Sequence, residues 1–353
     1  MLLEGIFAAA TTPFYTDERL YLRKLEANVA RYSRSLLSGL IILGSTGEAP
    51  ALSDEESREV LKTAAEAAAA EKVLVAGVGR ESLSATLALA EDAAKHKYDA
   101  VLVRTPTYYS TQMTEAAVLN YYRAVADRSP LPVVLYNIPR CVPYDIPVPM
   151  VAELAHHPNI IAIKDSSGNL DRLIATIDAV KDAPKRTVTV TPVFEAATAR
   201  MLQPAAIAAG PSIFVSAESL SGGTTIAVPP PAPALRTRTK EVGFQVLTGS
   251  ASIAFDALQA GASGAILGLA AAVPQACTEI YLAWKDHDYE LAKSKQERVD
   301  MPNKRITGAL GVAGIKYACD FNGYYGGYTR LPLLRLSSAE KTEIESLLAE
   351  IRN

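Results

Sequence analysis

A lysine at the end of an apolar run is the residue whose surroundings point most directly to chemistry. Residues 160–163 are Ile-Ile-Ala-Ile, Lys164 follows them, and the polar stretch Asp-Ser-Ser-Gly comes next. A run rich in β-branched residues is typical of a strand buried on both faces, and the polar stretch predicts the turn that ends it. Desolvation at such a mouth favours the neutral amine, which attacks ketones and aldehydes to form Schiff bases. A surface lysine at a strand end has the same local sequence, so the neighbours of Lys164 must decide.

A loop that bears hydroxyl groups follows an earlier apolar run. Residues 44–48 are Gly-Ser-Thr-Gly-Glu. The two glycines, of which Gly47 is the second, let the backbone approach a ligand closely. The hydroxyls of Ser45 and Thr46, together with free N–H groups, can hold a carboxylate. No Lys-Ser or Lys-Thr pair follows the second glycine, so the loop is not a Walker phosphate loop. An ordinary Gly-Ser-Thr turn would have the same sequence.

Tyrosines stand at the ends of two further apolar runs. Tyr108 and Tyr109 follow the run of residues 100–105, and Tyr136 lies near the end of residues 133–138. Formation and dehydration of a carbinolamine need a proton carrier, and a buried, hydrogen-bonded phenol can serve as one. Tyrosines also pack at the rims of many folds, so only their convergence with the lysine would indicate catalysis.

Eight apolar runs alternate along the chain with segments of helical periodicity, as at residues 54–70, 82–95 and 115–127. This alternation indicates parallel βα units, and Ser53 with Glu56 predicts a capping box at the first of these helices. The predicted strands are residues 5–14, 40–44, 73–78, 100–105, 133–138, 160–164, 244–248 and 265–269. We predict an α/β fold in which these strands close into a (β/α)8 TIM barrel. A doubly wound open sheet is the alternative, because periodicity alone does not show closure.

Two segments exceed such a barrel. We expect residues 1–272 to form the barrel, with an insertion at about residues 183–243 between the sixth helix and the seventh strand. A helix-to-strand connection emerges at the N-terminal face, whereas active sites lie at the carboxyl ends of the strands. The insertion therefore predicts a packing or assembly role. Residues 273–353 are expected to form a C-terminal helical bundle, with helices at residues 275–286, 289–299, 304–319 and 338–351.

Composition narrows the class of partner. The formal net charge of −3 argues against nucleic acid or an anionic membrane surface. No apolar stretch approaches the roughly 20 residues that a membrane span needs, and the N-terminal sequence lacks the pattern of a signal peptide. The 3 cysteines and 4 histidines are scattered. We therefore expect a cytoplasmic protein without disulfides, and neither a metal site nor another cofactor.

Three ordered motifs together resemble a known family. Residues 44–48, the Tyr-Asn-Ile-Pro of residues 136–139 and the Ile-Lys-Asp-Ser-Ser-Gly of residues 163–168 are similar to signatures of the dihydrodipicolinate synthase / N-acetylneuraminate lyase family. The resemblance covers nearly the whole chain outside residues 183–243. It implies a (β/α)8 class I aldolase that forms a Schiff base with pyruvate, needs no metal and is commonly a homotetramer.

The resemblance also implies roles for individual residues. Lys164 would form the Schiff base and Tyr136 would transfer protons above it. Ser45 and Thr46 would bind the pyruvate carboxylate and join the proton relay. Tyr108 or Tyr109 would supply a further phenol, which in some family members reaches across a dimer interface.

The segment after residues 136–139 bears on the second substrate. Family members that make dihydrodipicolinate typically carry Ser-Arg-Thr-Gly there, and their arginine binds the second substrate's carboxylate. This chain has Arg140 one position early and Cys141 in the arginine's place. On an extended segment, a displacement by one residue reverses the direction of the side chain. Ser166 and Ser250 are candidates for the wall around the second substrate, and a turn-forming role is equally compatible with their positions.

The chain is more similar to 4-hydroxy-2-oxoglutarate aldolases, at residues 129–136, 157–160, 244–250 and 323–327. We therefore expect a lyase that cleaves this 2-oxo acid to pyruvate and glyoxylate. The alternatives are condensation of pyruvate with aspartate semialdehyde, or a keto-acid-binding relative without turnover. A phosphosugar aldolase ranks last, because no cation follows the seventh and eighth predicted strands.

Overall fold

The computed structural model describes residues 1–202 and 235–351, and its centre is a closed barrel of parallel strands. The barrel strands are β1 Gly5–Ala9, β2 Gly39–Ile42, β3 Val73–Gly77, β4 Ala100–Arg104, β5 Val133–Asn137, β6 Ile160–Asp165, β9 Gln245–Thr248 and β10 Gly264–Leu267; β7 Arg186–Val190 and β8 Arg238–Val242 pair separately. The barrel order is β1-β10-β9-β6-β5-β4-β3-β2. All eight predicted strands are present, so the prediction of a (β/α)8 barrel is confirmed and the open sheet was the wrong alternative.

The first barrel strand is shorter than predicted. Residues 5–14 were expected to be extended throughout, but β1 ends at Ala9. Pro13 has no backbone N–H to offer to a strand ladder, and Phe14 forms an isolated antiparallel bridge with Leu20 instead. The chain therefore leaves the barrel wall early and folds back over its mouth.

Helices cover the outside of the barrel: α1 Leu22–Ser33, α2 Asp54–Ala67, α3 Leu83–Lys95, α4 Glu115–Arg128, α5 Val148–Leu154, α6 Leu170–Val180, α7 Ala254–Gln259 and α8 Pro274–Lys285. The predicted capping box is present at α2, where the Ser53 side chain accepts from the Glu56 N–H and the Glu56 side chain accepts from the Ser53 N–H. Each of these eight helices follows a barrel strand, as parallel βα units require. In residues 1–202 and 235–351, no helix is both long and apolar enough to cross a membrane.

The helix α8 contacts β1 and α7, and the Tyr281 hydroxyl lies 3.4 Å from Glu4 Oε1, next to the first strand. This is the position of the eighth barrel helix, although residues 273–353 were predicted to form one bundle. We therefore propose that the barrel runs to Lys285. The extension then consists of α9 Tyr289–Pro302, a π-helical segment Asn303–Ala309, α10 Gly311–Phe321 and α11 Ser338–Leu348.

The described parts of the segment 183–243 lie at the N-terminal ends of the strands. β7 and β8 form an antiparallel pair whose Val188 and Val190 pack with Leu2. Asp99, which directly precedes β4, accepts a hydrogen bond of 2.7 Å from the Ala199 N–H. These described parts therefore cover the face opposite the carboxyl ends of the strands. The assembly role of the insertion stays a prediction.

One buried apolar side chain from each strand fills the barrel interior: Phe7, Ile41, Val75, Leu102, Val134, Ala162, Leu247 and Ile266. Because side chains alternate along a strand, the residue two positions later points to the same side. In β4, β5 and β6 those residues are Arg104, Tyr136 and Lys164. Three polar side chains thus follow the apolar layer at the mouth of the barrel.

Candidate active site

The three polar side chains at the barrel mouth are direct neighbours. Arg104 pairs with Tyr136 in the register of β4 and β5, and Tyr136 pairs with Lys164 in the register of β5 and β6. Paired residues of adjacent parallel strands point to the same face of the sheet. The ends of three consecutive strands therefore direct an arginine, a phenol and an amine into one space.

Lys164 and Tyr136 are in hydrogen-bonding contact deep in this mouth. Lys164 Nζ lies 3.2 Å from the Tyr136 hydroxyl and 4.3 Å from the centre of its ring. The two residues are only 4% and 6% exposed, respectively. Ser45 Oγ lies 3.4 Å from the same hydroxyl. The phenol oxygen can therefore exchange protons with both the amine and the serine.

The carboxylate of Asp165, the residue after Lys164, points away from the barrel interior. Asp165 Oδ2 accepts hydrogen bonds of 2.8 Å from Arg172 Nε and 3.2 Å from Asn137 Nδ2. The alternation of side chains along β6 turns Asp165 towards α6 and Lys164 towards the interior. The amine thus points away from this carboxylate and lies beside the phenol of Tyr136.

The hydroxyl loop is a 3₁₀ turn fixed against the end of β1. Ser45–Gly47 form the turn, and the Thr12 hydroxyl donates to the Gly47 carbonyl at 2.7 Å. The Gly47 N–H donates to Gly44 and the Glu48 N–H to Ser45. Gly47 therefore shapes the loop instead of offering its N–H to a ligand. The backbone N–H groups of Ser45 and Thr46 make no hydrogen bond within the turn, so they are the ones that can donate to a carboxylate.

The residue after this turn fixes the loop to the C-terminal extension. Glu48 has a positive φ of 54°, which is uncommon for a residue with a side chain. Its buried carboxylate lies 2.5 Å from Lys316 Nζ of α10 and accepts a 3.0 Å hydrogen bond from the Arg330 N–H. The extension therefore holds the loop from behind.

A cavity of about 850 Å³ opens beside Tyr136 and Ser45, and Lys164 and Thr46 are not among the residues of its wall. Tyr136 and Ser45 lie on its wall together with Arg80, Glu81 and Arg104. Residues 330–333 of the C-terminal extension close the other side. A cavity of this size can hold a small substrate with room to spare. A second cavity, of about 240 Å³, lies between α10 and α11 and is formed by other residues.

The two adjacent tyrosines do not reach the site within one chain. Tyr108 is 80% exposed and Tyr109 is 63% exposed, and their rings pack edge to face at 5.1 Å. The sequence places them after β4, where a relay to Tyr136 was expected. Their side chains instead project outward, because the N–H groups of Thr107 and Tyr108 donate to Glu81 and fix the loop. A role across a subunit interface stays a prediction.

Ser166 and Ser250 lie at the ends of two adjacent strands but outside the cavity wall over Tyr136. The Ser250 N–H donates to Thr248 Oγ1 at 3.2 Å, as in a local turn. A Cβ on Gly249 would lie 1.9 Å from Ser166 Oγ, so these turns are tightly packed against each other. The contacts favour the turn-forming interpretation of both serines.

Arg140 and Cys141 point in different directions. Arg140 is exposed and donates to the Gly308 carbonyl of the C-terminal extension. Cys141 lies on the cavity wall. Arg140 is therefore not part of the cavity wall. The extended segment assumed from the sequence is wrong here, because residues 139–141 form a turn in which the Cys141 and Val142 N–H groups donate to the Ile138 carbonyl.

The sequence analysis missed Arg104 and the Glu48–Lys316 pair. Arg104 was included in an apolar predicted strand and was not considered as a site residue. It stands two residues after the interior residue Leu102, so the alternation of side chains along the strand points it inward as well. Glu48 and Lys316 are too far apart in sequence for any local pattern to pair them. In residues 1–202 and 235–351, no group of three His, Cys, Asp or Glu side chains could hold a metal ion.

Comparison with known proteins agrees with this arrangement. The family model "Dihydrodipicolinate synthetase family" matches residues 2–189 and 234–351. The chain belongs to this family. The resemblance predicted from its motifs is confirmed, and members of the dihydrodipicolinate synthetase family are pyruvate-dependent lyases and synthases. The chain is therefore an enzyme of the pyruvate aldolase/lyase type.

Relatives within the dihydrodipicolinate synthetase family carry out different reactions. A 4-hydroxy-tetrahydrodipicolinate synthase from Acidiphilium cryptum is 27% identical over 98% of both chains. An L-threo-3-deoxy-hexylosonate aldolase from Hypocrea jecorina is 28% identical over 98% of this chain and 95% of its own. The crystal structure of YagE, a prophage protein of this family from E. coli K12 in complex with pyruvate, has a TM-score of 0.77 at 24% identity over 99% of both chains. The last likeness supports the barrel fold.

Proposed function

We propose that this lyase cleaves 4-hydroxy-2-oxoglutarate to pyruvate and glyoxylate through a Schiff base on Lys164. The observation that supports this most directly is the 3.2 Å contact between Lys164 Nζ and the Tyr136 hydroxyl beside a cavity that can hold the substrate. Ser45 and Thr46 would bind the C1 carboxylate through their hydroxyls and the N–H groups that their turn leaves free.

The reaction follows from these positions. The neutral amine of Lys164 attacks the C2 carbonyl, and protonation of the resulting hydroxyl by Tyr136 lets water leave as the iminium forms. Removal of the C4 hydroxyl proton breaks the C3–C4 bond, whose electron pair moves towards the iminium nitrogen. Glyoxylate departs and an enamine remains. Protonation at C3 and addition of water to the iminium then release pyruvate and restore the amine.

Tyr136 and Ser45 together would move these protons. Their oxygens are 3.4 Å apart, so a substrate or water near Ser45 connects the buried phenol with the cavity. Retention of both Lys164 and Tyr136 argues against a binding protein without turnover, because recognition of a keto acid needs neither a nucleophile nor a proton carrier.

The direction of Arg140 and the position of Cys141 support cleavage over the lysine-pathway condensation. Synthases of that type typically bind the carboxylate of aspartate semialdehyde through an arginine at the position that Cys141 occupies here, whereas Arg80 and Arg104 lie elsewhere on the cavity wall. Cys141 lines the cavity at the relevant position, whereas Arg140 donates to Gly308 outside it. The synthase remains the second candidate, because relatives such as that from Acidiphilium cryptum carry this name.

We also propose a metal-independent, cytoplasmic homo-oligomer. The exposed Tyr108–Tyr109 pair provides an aromatic surface close to the cavity, which suits a subunit interface. Light scattering after gel filtration should give a dimer or tetramer, and activity should survive dialysis against a chelator. A monomer, or loss of activity that added metal restores, would contradict these two proposals.

A substrate panel tests the proposed reaction. Pyruvate release is measured from 4-hydroxy-2-oxoglutarate, from 2-keto-3-deoxy sugar acids and from N-acetylneuraminate, beside condensation of pyruvate with aspartate semialdehyde. We expect the highest kcat/KM for 4-hydroxy-2-oxoglutarate and no release by Lys164→Arg. Substantial condensation with aspartate semialdehyde and no cleavage would show that the synthase assignment is correct.

A further inference from the structure

Arg104 occupies an unusual position for a cation in this barrel. It ends β4 beside Tyr136 and follows the buried interior residue Leu102 by two positions. Gly79 lies opposite, and a Cβ there would come within 2.8 Å of Arg104 Cγ. The same Cβ would lie 2.8 Å from the backbone N of Arg104, so Gly79 lets β4 and the stem of the arginine approach closely. The Arg104 side chain contributes to the cavity wall.

The guanidinium of Arg104 is held in a fixed orientation. It donates to Glu81 Oε1 at 2.9 Å and to the Thr105 carbonyl at 3.0 Å. Glu81 is itself anchored, since it accepts hydrogen bonds from the N–H groups of Thr107 and Tyr108. These contacts use only part of the five donors of a guanidinium. The remaining donors are available to a ligand in the cavity.

A second guanidinium lies on the same wall, which also carries the carboxylates of Asp54 and Glu81. Arg80 also lines the cavity and donates to Ser57 Oγ at 2.9 Å. Its nearest carboxylate, Asp54, is 3.6 Å away, so it is paired only loosely. Burial lowers the pKa of Arg80, Asp54 opposes this effect, and the positive charge of Arg104 adds a smaller lowering. Both guanidiniums thus line the same cavity.

We infer that Arg104, assisted by Arg80, binds a carboxylate on the aldehyde-derived half of the substrate. This inference rests on the proposed Schiff-base function, because that function places C2 at Lys164 and the remaining chain in the cavity. Arginine binds carboxylates through parallel hydrogen bonds, and the fixed fork of Arg104 suits this geometry. The substrate class is therefore 2-oxo acids with a second acidic group, in preference to neutral sugar acids whose distal end is a polyol.

A pair of acceptor aldehydes of equal length isolates the charge. Glyoxylate carries a carboxylate where glycolaldehyde carries a hydroxymethyl group, and condensation of each with pyruvate is followed by chromatography and mass spectrometry. The wild type should prefer glyoxylate by at least about 10-fold in kcat/KM. Arg104→Gln should lower kcat/KM for glyoxylate by about 10- to 100-fold and change that for glycolaldehyde by less than about 3-fold.

Three controls keep the outcomes separate. Arg140→Gln removes a neighbouring arginine whose contact lies outside the cavity, and it should leave the preference unchanged. Borohydride reduction with pyruvate reports whether Lys164 still forms its Schiff base in each variant. Arg104→Lys keeps the positive charge but loses the paired donors of the guanidinium. Its preference for glyoxylate over glycolaldehyde should therefore lie between those of the wild type and Arg104→Gln.

Each result decides between the claims. If Arg104→Gln forms the adduct on Lys164 and keeps the wild-type preference for glyoxylate, this inference is overturned and the proposed function stays intact. The same holds if Arg104→Gln loses activity equally with both aldehydes. A wild-type enzyme that prefers glycolaldehyde would overturn this inference and also contradict 4-hydroxy-2-oxoglutarate as the substrate. Absence of the adduct in the wild type would overturn the proposed function and this inference with it. If the glutamine variant does not fold, an unchanged preference in Arg104→Lys contradicts the inference.

Discussion

Replacement of Lys316 by methionine should destabilise the protein strongly, because it leaves a buried carboxylate without its cation. The side chains of Lys316 and Glu48 are each 1% exposed, and Lys316 Nζ lies 2.5 Å from Glu48 Oε1. The ammonium also donates to the Tyr328 carbonyl and lies 4.3 Å from the centre of the Phe14 ring. Methionine approximates the apolar stem of lysine, so the change removes charge and hydrogen bonds more than volume.

The expected cost can be set from the burial of the pair. Removal of one partner of a buried ion pair typically costs about 3–5 kcal/mol, because the other charge stays desolvated. Glu48 keeps the hydrogen bond from the Arg330 N–H, so we expect about 3 kcal/mol, near the lower limit. The double variant Glu48→Gln/Lys316→Met no longer buries a lone charge. Its cost should be smaller than that of Lys316→Met alone.

Urea unfolding measures these costs, with far-ultraviolet circular dichroism and the fluorescence of Trp284 as independent probes. Lys304→Met is the matched control, because Lys304 forms an exposed i,i+4 pair with Asp300 and its loss should cost less than about 1 kcal/mol. The reasoning is refuted if Lys316→Met costs no more than the control. It is equally refuted if the double variant is less stable than Lys316→Met alone.

Further predictions concern the phenol, the thiols and a rim carboxylate. Tyr136→Phe should lower kcat about 10²- to 10⁴-fold with an unchanged unfolding midpoint, as measured by pyruvate release and urea titration. Of the three cysteines, only exposed Cys141 should react quickly with a thiol reagent in the native state, because burial raises the pKa of the other two to about 12. Burial alone would raise the pKa of Glu81, but hydrogen bonds from backbone N–H groups and from Arg104 outweigh it and lower the pKa to about 2. Glu81→Gln should therefore be less stable than the wild type at pH 7, and the difference should shrink as the pH falls from 4.5 to about 2, as acid unfolding curves would show.

The barrel could be predicted because a parallel strand buried on both faces is a continuous apolar run. Element ends were harder to place. Residues 304–319 were expected to form one helix, but the structure has a π-helical segment up to Ala309 and a new helix from Gly311. Gly311 has a φ of +64°, which interrupts the helix, and glycine can also occur inside a helix, so the sequence did not reveal the break.

The candidate site could be predicted where residues stand directly at strand ends. Lys164, Tyr136 and Ser45 come together because the closed barrel brings the ends of β6, β5 and β2 to one face. The outward direction of the paired tyrosines after β4 depends on contacts with Glu81, which a pattern along the chain cannot show. The support of the hydroxyl loop by Lys316 likewise depends on tertiary packing.

Borohydride trapping with pyruvate tests the central claim most directly. Two other buried lysines provide internal controls, because Lys72 donates to the carbonyls of Ser35 and Leu37 and Lys316 is paired with Glu48. After reduction and proteolysis, mass spectrometry should find one carboxyethyl group, on the peptide that contains Lys164. The Lys164→Arg variant should acquire none. An unmodified Lys164 in the wild type, or an adduct on another lysine instead, would contradict the assignment of the Schiff base.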